Sequence, residues 1–195
     1  MIKTSNIIRL SIVAYIALSS PVALSTSEGF PMMTALPAIA EKNLSAEKSS
    51  PLQLCGQATL KAFKVFTVGE SALYRPDCQT PWALDIGEDK LMYFRYARDI
   101  PASAFAESAM TMLDRNLQLT REQRSELERF HRLYRDVSNG DTYAMSYSEE
   151  NGLQLFLNDT HLGNLSMQPL AHEYFSIWLG QKPFDENLKM DLLGK

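Results

Sequence analysis

The segment 167–180, with sequence MQPLAHEYFSIWLG, most narrowly limits the fold. Its apolar residues recur at positions i, i+3, i+4, i+7, i+8 and i+11: Met167, Leu170, Ala171, Tyr174, Phe175 and Trp178. Residues with this spacing share one face of a helix, so the segment predicts a helix that ends at Gly180. A stripe this wide has to be buried against a second layer. We interpret Trp178 as a packing residue rather than a ligand-stacking residue, because it belongs to that stripe.

The second layer is predicted to be an antiparallel sheet. Short segments rich in aromatic and aliphatic residues (LQLCGQATL, AFKVFTV, SALYR and KLMYFRYA) are separated by Gly69, Pro76 and Pro81. Further along, DTYAMSYS and GLQLFLN flank Asn151-Gly152, a pair that favours a tight hairpin turn. These patterns predict strands on both sides of a helical region.

Two helices are predicted within residues 101–135. Pro101 suits a first turn and Thr120 suits an N-cap, and apolar residues follow each at helical spacing. Arg124 and Glu128 lie four residues apart, which is typical of an exposed helix face. A short C-terminal helix is predicted in DENLKMDLLG after Pro183. Strands and helices in this order indicate an α+β domain.

The N-terminal residues 1–25 are predicted to be a secretory signal. Lys3 and Arg9 precede an apolar run at 10–18, and a small-residue site ends at Ser25. A membrane anchor is the alternative, but the run is shorter than the ~20 residues that span a bilayer. A second small-residue site ends at Ala40, so cleavage is expected after either residue. Residues 26–50 are then a flexible tether, residues 51–195 form the domain, and the mature protein is expected in the periplasm without stable membrane insertion.

Export changes the interpretation of the two cysteines. Disulfides persist outside the cytoplasm, so Cys55 and Cys78 are candidates for a disulfide. Two independent buried thiols are the alternative, because the sequence does not give the distance between their Cα atoms.

Charge and motif content exclude several functions. The chain has 19 basic and 23 acidic residues, and removing the predicted signal takes away two of the basic ones. This balance, without a basic cluster, argues against nucleic acid as a partner. His131, His161 and His172 do not have the spacing of metal ligands, so no metal or other cofactor is predicted. The oligomeric state is left open.

Four segments, FTVGESALY, YARDIP, VSNGD and FSIWLGQKPFDENLKMDLLG, occur in an order and spacing that resembles the bacterial exported chalcone isomerase-like family. The resemblance covers nearly all of residues 52–195. It implies an open-faced sandwich in which a large antiparallel sheet is backed by a layer of helices, with a ligand cleft between them. Relatives include plant enzymes that cyclise chalcones, non-catalytic helpers and fatty-acid-binding proteins.

The catalytic residues that the resemblance would imply are missing. The position where the family has Arg holds Leu60, with Lys61 beside it. The two positions where the family has Thr hold Gly69 and Ile177. The expected Tyr, followed seven residues later by Asn, does not occur in the sequence. Cyclisation needs donors aimed at a developing oxyanion, so we expect a non-catalytic protein that binds a small apolar acid such as a fatty acid. The alternative is an isomerase or lyase with a rearranged site.

The strand KLMYFRYARDI is the predicted ligand contact. Side chains alternate along a strand, so Tyr93 and Arg95 project to one face and Tyr96 to the other, and Arg98 follows the strand. Arginine can bind a carboxylate through two parallel hydrogen bonds. The predicted ligand-binding residues are Tyr93, Arg95, Tyr96 and Arg98. The alternative for Arg98 is an ion pair with Asp99 or another acid that only holds the following loop.

Overall fold

The computed structural model describes residues 51–62, 66–84 and 87–195. The predicted signal at 1–25 and the predicted tether at 26–50 lie outside the described residues. Those two boundaries therefore stay predictions.

Six strands form one antiparallel sheet in which sequence order equals spatial order. They are β1 Gln53–Ala62, β2 Phe66–Arg75, β3 Lys90–Tyr96, β4 Thr142–Ser148, β5 Gly152–Leu157 and β6 Thr160–Leu165. The helices are α1 Ala102–Asn116, α2 Arg121–His131, α3 Leu170–Glu173, α4 Ser176–Leu179 and α5 Glu186–Leu192. The predicted α+β fold with a large antiparallel sheet backed by helices is confirmed.

The two faces of the sheet have different neighbours. The helix face comprises Ala58, Leu60, Leu73, Met92, Phe94, Tyr96, Tyr143, Met145, Tyr147, Leu153, Leu155 and Leu165. The outer face comprises Ala72, Tyr74, Leu91, Tyr93, Ala144 and Phe156, and Leu52, which precedes β1, packs in the same cluster. Helix contacts fall on the helix face: the ring of Phe105 in α1 lies 5.3 Å from that of Tyr96.

The apolar stripe of 167–180 does pack on the sheet, because the ring of Trp178 lies 5.1 Å from that of Phe94. The continuous helix predicted there is wrong. The segment forms the two short helices α3 and α4, and backbone bonds such as Phe175 N–H to His172 C=O reach back only three residues between them. This tighter turn shifts the stripe, and Trp178 is partly rather than fully buried.

Two strand predictions are also corrected. Gly69 does not separate two strands but lies within β2, where a Cβ would collide with the backbone carbonyl of Arg95 on β3. The glycine therefore permits close approach of two strands. Strand β6 was not predicted, since its burial is low, although Asn158 and Asp159 with φ of 46° and 64° form a two-residue turn before it.

The helices of 101–135 begin and end as their caps predict. Thr120 and Gln123 form a reciprocal capping box at the start of α2. Asp185 accepts hydrogen bonds from two backbone N–H groups at the start of α5. Local sequence accounts for these termini without help from the sheet.

Candidate functional site

The structure does not bring the four predicted ligand-binding residues together. Tyr93 and Arg95 lie on the outer face, whereas Tyr96 is buried on the helix face among the rings of Phe105 and Tyr143. The cleft that the resemblance implies, between sheet and helices, would be lined by the helix face. A ligand in such a cleft could contact Tyr96 but not Arg95.

The two predicted arginines already have partners. Arg95 Nη2 donates to Glu70 Oε2 at 2.8 Å, across the β2–β3 pair. The exposed Arg98 donates from Nε to the carbonyl of Thr67 at 3.1 Å. Arg98 therefore ties the segment after β3 to β2, a role close to the predicted structural alternative but with a carbonyl in place of an acid.

Cys55 and Cys78 are joined by a disulfide, with Cα atoms 5.2 Å apart. The bond links β1 to the segment that follows β2. That segment, residues 76–84, carries Trp82 and leads toward the start of β3.

At this end of the helix face, Lys90 occupies an aromatic box. Its Nζ atom lies 4.3 Å from the ring centroid of Tyr147, 5.3 Å from that of Phe175 and 5.4 Å from that of Trp82. The side chain is fully buried, and Nζ donates one hydrogen bond to the carbonyl of Glu88. Ammonium groups bind aromatic faces at these distances.

Arg75, the neighbouring cation, differs from Lys90 in having an acidic partner. Arg75 is also buried, but it forms an ion pair with Glu88 and donates from Nη2 to the carbonyl of Thr80 at 3.0 Å. Within residues 51–62, 66–84 and 87–195, Lys90 forms no ion pair. Burial lowers the pKa of Lys90 to about 7, although Glu88 and Asp89 favour the charged form. The box therefore holds an amine that exchanges its proton near neutral pH.

A second polar group lies in the centre of the helix layer. His131 Nε2 and the hydroxyl of Tyr174 are 3.0 Å apart, and the hydroxyls of Tyr174 and Tyr134 are 2.9 Å apart. Burial lowers the pKa of His131 to about 4 and raises the pKa of both tyrosines. The imidazole is therefore neutral at physiological pH, and the three side chains satisfy one another as a buried network.

The resemblance implies catalytic hydrogen-bond donors at certain positions, but the residues at these positions are not donors. Leu60 is a buried aliphatic residue on the helix face, and Gly69 lies directly opposite it on β2. Ile177 is buried in α4. Lys61, the neighbour of Leu60, is exposed. None of these positions supplies a hydrogen-bond donor to the helix face.

The Lys90 box is not among the sites predicted from the sequence. Lys90 begins a predicted strand and looks like a solvated strand end, and its aromatic partners are distant in sequence. A weak signal was the alternation that puts Lys90 on the same face as Met92 and Phe94, which is an apolar face.

Two features of residues 51–62, 66–84 and 87–195 bear on metal binding and on membrane crossing. In these ranges no group of His, Cys, Asp and Glu side chains could hold a metal ion. None of the described helices is long and apolar enough to cross a membrane.

The comparisons with known proteins agree on one fold. No curated protein sequence matches the chain. A solved structure, that of a fatty-acid binding protein of Arabidopsis thaliana, matches with a TM-score of 0.57 and 16% identity, covering 73% of this chain and 87% of that one. At this identity the match shows the fold alone. The family model described as chalcone isomerase-like matches residues 38–194. Because that match spans most of the sequence, the chain belongs to the chalcone isomerase-like family.

Proposed function

We propose that this protein is an exported, non-catalytic binder of a small apolar acid, such as a fatty acid, and that it acts in the periplasm. The ligand lies between the sheet and the helices, with its carboxylate at Lys90. The observation that carries the proposal is the buried Lys90 ammonium, which has aromatic neighbours and no carboxylate partner in the described parts of the chain.

A buried cation without an anion is costly, because the protein interior solvates charge poorly. The Lys90 ammonium has three N–H donors, and one of them is used by the carbonyl of Glu88. A ligand carboxylate would accept from the others and neutralise the charge. The surrounding rings of Trp82, Tyr147 and Phe175 would exclude water and strengthen this pairing.

The helix face offers an apolar path for the rest of the ligand. Along β3, Met92, Phe94 and Tyr96 follow Lys90 on the same face, and the strand covers ~20 Å at ~3.3 Å per residue. Methionine side chains adapt to irregular ligands, and Met92 and Met145 are neighbours across β3 and β4 on this face. In this proposal Tyr96 lines the far end of the path.

Two further observations support a binder rather than an enzyme. The positions of the expected donors are Leu60, Gly69 and Ile177, which cannot stabilise an oxyanion with their side chains. The similar Arabidopsis structure is that of a fatty-acid binding protein. An isomerase or lyase with a rearranged site would have to use the His131, Tyr174 and Tyr134 network, which holds the only neutral imidazole hydrogen-bonded to phenols in the described residues.

Titration of a fluorescent fatty acid into the purified exported protein tests the proposal. We expect saturable binding, a loss of at least tenfold in affinity for Lys90→Met, and little change for Arg95→Met, the matched control on the outer face. Affinity of the wild type should fall as pH rises through 7, because the free Lys90 amine loses its proton there. Absence of binding by the wild type contradicts the proposal, as does equal binding by Lys90→Met. Loss of binding in Arg95→Met alone would place the carboxylate on the outer face.

Catalysis and location need separate measurements. Chalcone cyclisation well above the uncatalysed rate would contradict the non-catalytic assignment, and its loss in His131→Gln would favour the rearranged site. Cell fractionation should recover the protein in the periplasm. Recovery in the cytoplasm would contradict export.

A further inference from the structure

The buried amine of Lys90 has the surroundings of a nucleophile. The acid next to it, Glu88, gives its carboxylate to Arg75 and only its backbone carbonyl to Lys90. Within residues 51–62, 66–84 and 87–195, Lys90 forms no ion pair. A buried lysine without a counter-ion favours its neutral form, in which the lone pair of the nitrogen is free to react.

A second cation favours the same neutral form. Arg75 and Lys90 lie over one ring, that of Trp82, at 5.8 Å and 5.4 Å from its centroid. Burial is the main cause that lowers the pKa of Lys90 to about 7, and the charge of Arg75 lowers it further. Proximity to another cation is one of the ways in which proteins activate a lysine as a nucleophile.

The other titratable groups around the amine do not reverse this effect. Glu88 and Asp89 favour the charged form of Lys90, but burial outweighs them. The remaining groups are the phenol of Tyr147 on β4 and the imidazole of His172 on α3, whose ring centroids are 5.8 Å apart. Neither of these two side chains carries a fixed negative charge that would hold the proton on Lys90.

The walls of the box would protect a product that water destroys. Tyr147 and Phe175 are buried, whereas Trp82 is only partly buried, so Trp82 forms the wall on the solvent side. Imines hydrolyse in water, and a site that excludes water slows the hydrolysis of reactive intermediates. The three rings around Lys90 therefore suit an imine as well as a charged amine.

We propose that Lys90 captures an apolar aldehyde as an imine. The Nζ atom bonds to the carbonyl carbon, and the carbonyl oxygen leaves as water with the two hydrogens of the neutral amine. No oxidant or further reactant is needed. A ketone is disfavoured, because its second carbon substituent would have to lie against the rings. The inference shares its site with the proposed function and rests on it for the path of the apolar chain along β3.

Equilibration of the purified exported protein with subsaturating hexanal, followed by brief reduction with borohydride, tests this proposal. Reduction converts an imine into a stable hexyl amine, and peptide mapping by mass spectrometry gives its position. We expect the adduct at Lys90, with a yield that rises about tenfold from one pH unit below 7 to one unit above, because the fraction of neutral amine does. Lys90→Arg keeps a cation but cannot form an imine, so it should lose this adduct. Lys182→Arg, at an exposed site, is the control and should keep it.

The direction of the pH dependence separates this inference from fatty-acid binding, because a carboxylate pairs with the charged amine and an aldehyde reacts with the neutral one. Fatty-acid binding without an adduct at Lys90 overturns this inference alone. An adduct at Lys90 without fatty-acid binding overturns the proposed function alone. An adduct spread over exposed lysines, or a yield that falls as pH rises, also decides against imine capture at Lys90. Peptide mapping of the wild type gives this answer even if Lys90→Arg does not fold.

Discussion

The Nζ atom of Lys90 lies 4.3 Å from the ring centroid of Tyr147, the residue directly opposite it on β4. The pair closes one end of the helix layer with a cation and an aromatic face. Because the amine is buried, its protonation is coupled to folding as well as to the proposed ligand.

The first prediction concerns stability in alkaline solution. Burial lowers the pKa of Lys90 to about 7 in the folded protein, from the ordinary lysine value of 10.5 that applies in the unfolded chain. Between these values the unfolded chain binds the proton and the folded chain does not, so the free energy of unfolding rises with pH from about 7 to 10.5. Urea denaturation at pH 6, 8 and 9.5 measures this rise. Lys90→Met should remove it, and an unchanged pH profile in that variant contradicts the assignment.

The second prediction concerns the stability of the fold in acidic solution. The pKa of His131 is lowered to about 4 from 6.5, so the unfolded chain takes up a proton at a higher pH than the folded one. Stability should therefore fall as pH drops from 6.5 to 4. His131→Gln keeps a donor and acceptor near Tyr174 but does not titrate, and it should flatten this part of the curve. His161→Gln, at an exposed site, is the control and should leave the acid slope intact.

The third prediction is that Trp178→Ala lowers the free energy of unfolding by ~3 kcal/mol. Its ring contacts Phe94, Tyr174 and Phe175, but it is only partly buried, so the cost lies at the lower end for a large aromatic residue. Phe184→Ala, at an exposed position, should cost less than ~1 kcal/mol. Equal melting of wild type and Trp178→Ala would show that α4 does not hold the helix layer on the sheet.

The fourth prediction concerns the disulfide. Cys55 and Cys78 are 23 residues apart, and closing a loop of this size stabilises by ~3 kcal/mol in the chain-entropy model. Replacing both cysteines with Ala should lower the midpoint of urea denaturation accordingly. Thiol titration of the unfolded, unreduced exported protein should detect no free thiol. Two free thiols would contradict the bond.

Much of the fold follows from local sequence. The alternation in KLMYFRYARDI placed Arg95 and Tyr96 on opposite faces, and the Thr120 capping box begins α2 where the pattern predicted, because side-chain direction and helix capping depend on residues close in sequence. The disulfide remained one of two alternatives. The resemblance that indicated the family rests on segments spread over the chain, and the family match bears it out.

The candidate site was decided by tertiary structure. Whether Arg95 could serve a cleft against the helices depended on which face the helices cover, and alternation along a strand does not reveal that. The box around Lys90 combines β3, β4, the Trp82 segment and Phe175 between α3 and α4, which are far apart in sequence. The sequence by itself determined most of the elements, but not β6 or the break between α3 and α4, and it determined the residues that share each face, because those depend on neighbours in the chain. Only the tertiary structure decided which face the described helices pack on and which buried charge has no anionic partner within residues 51–62, 66–84 and 87–195, because both depend on contacts between distant segments.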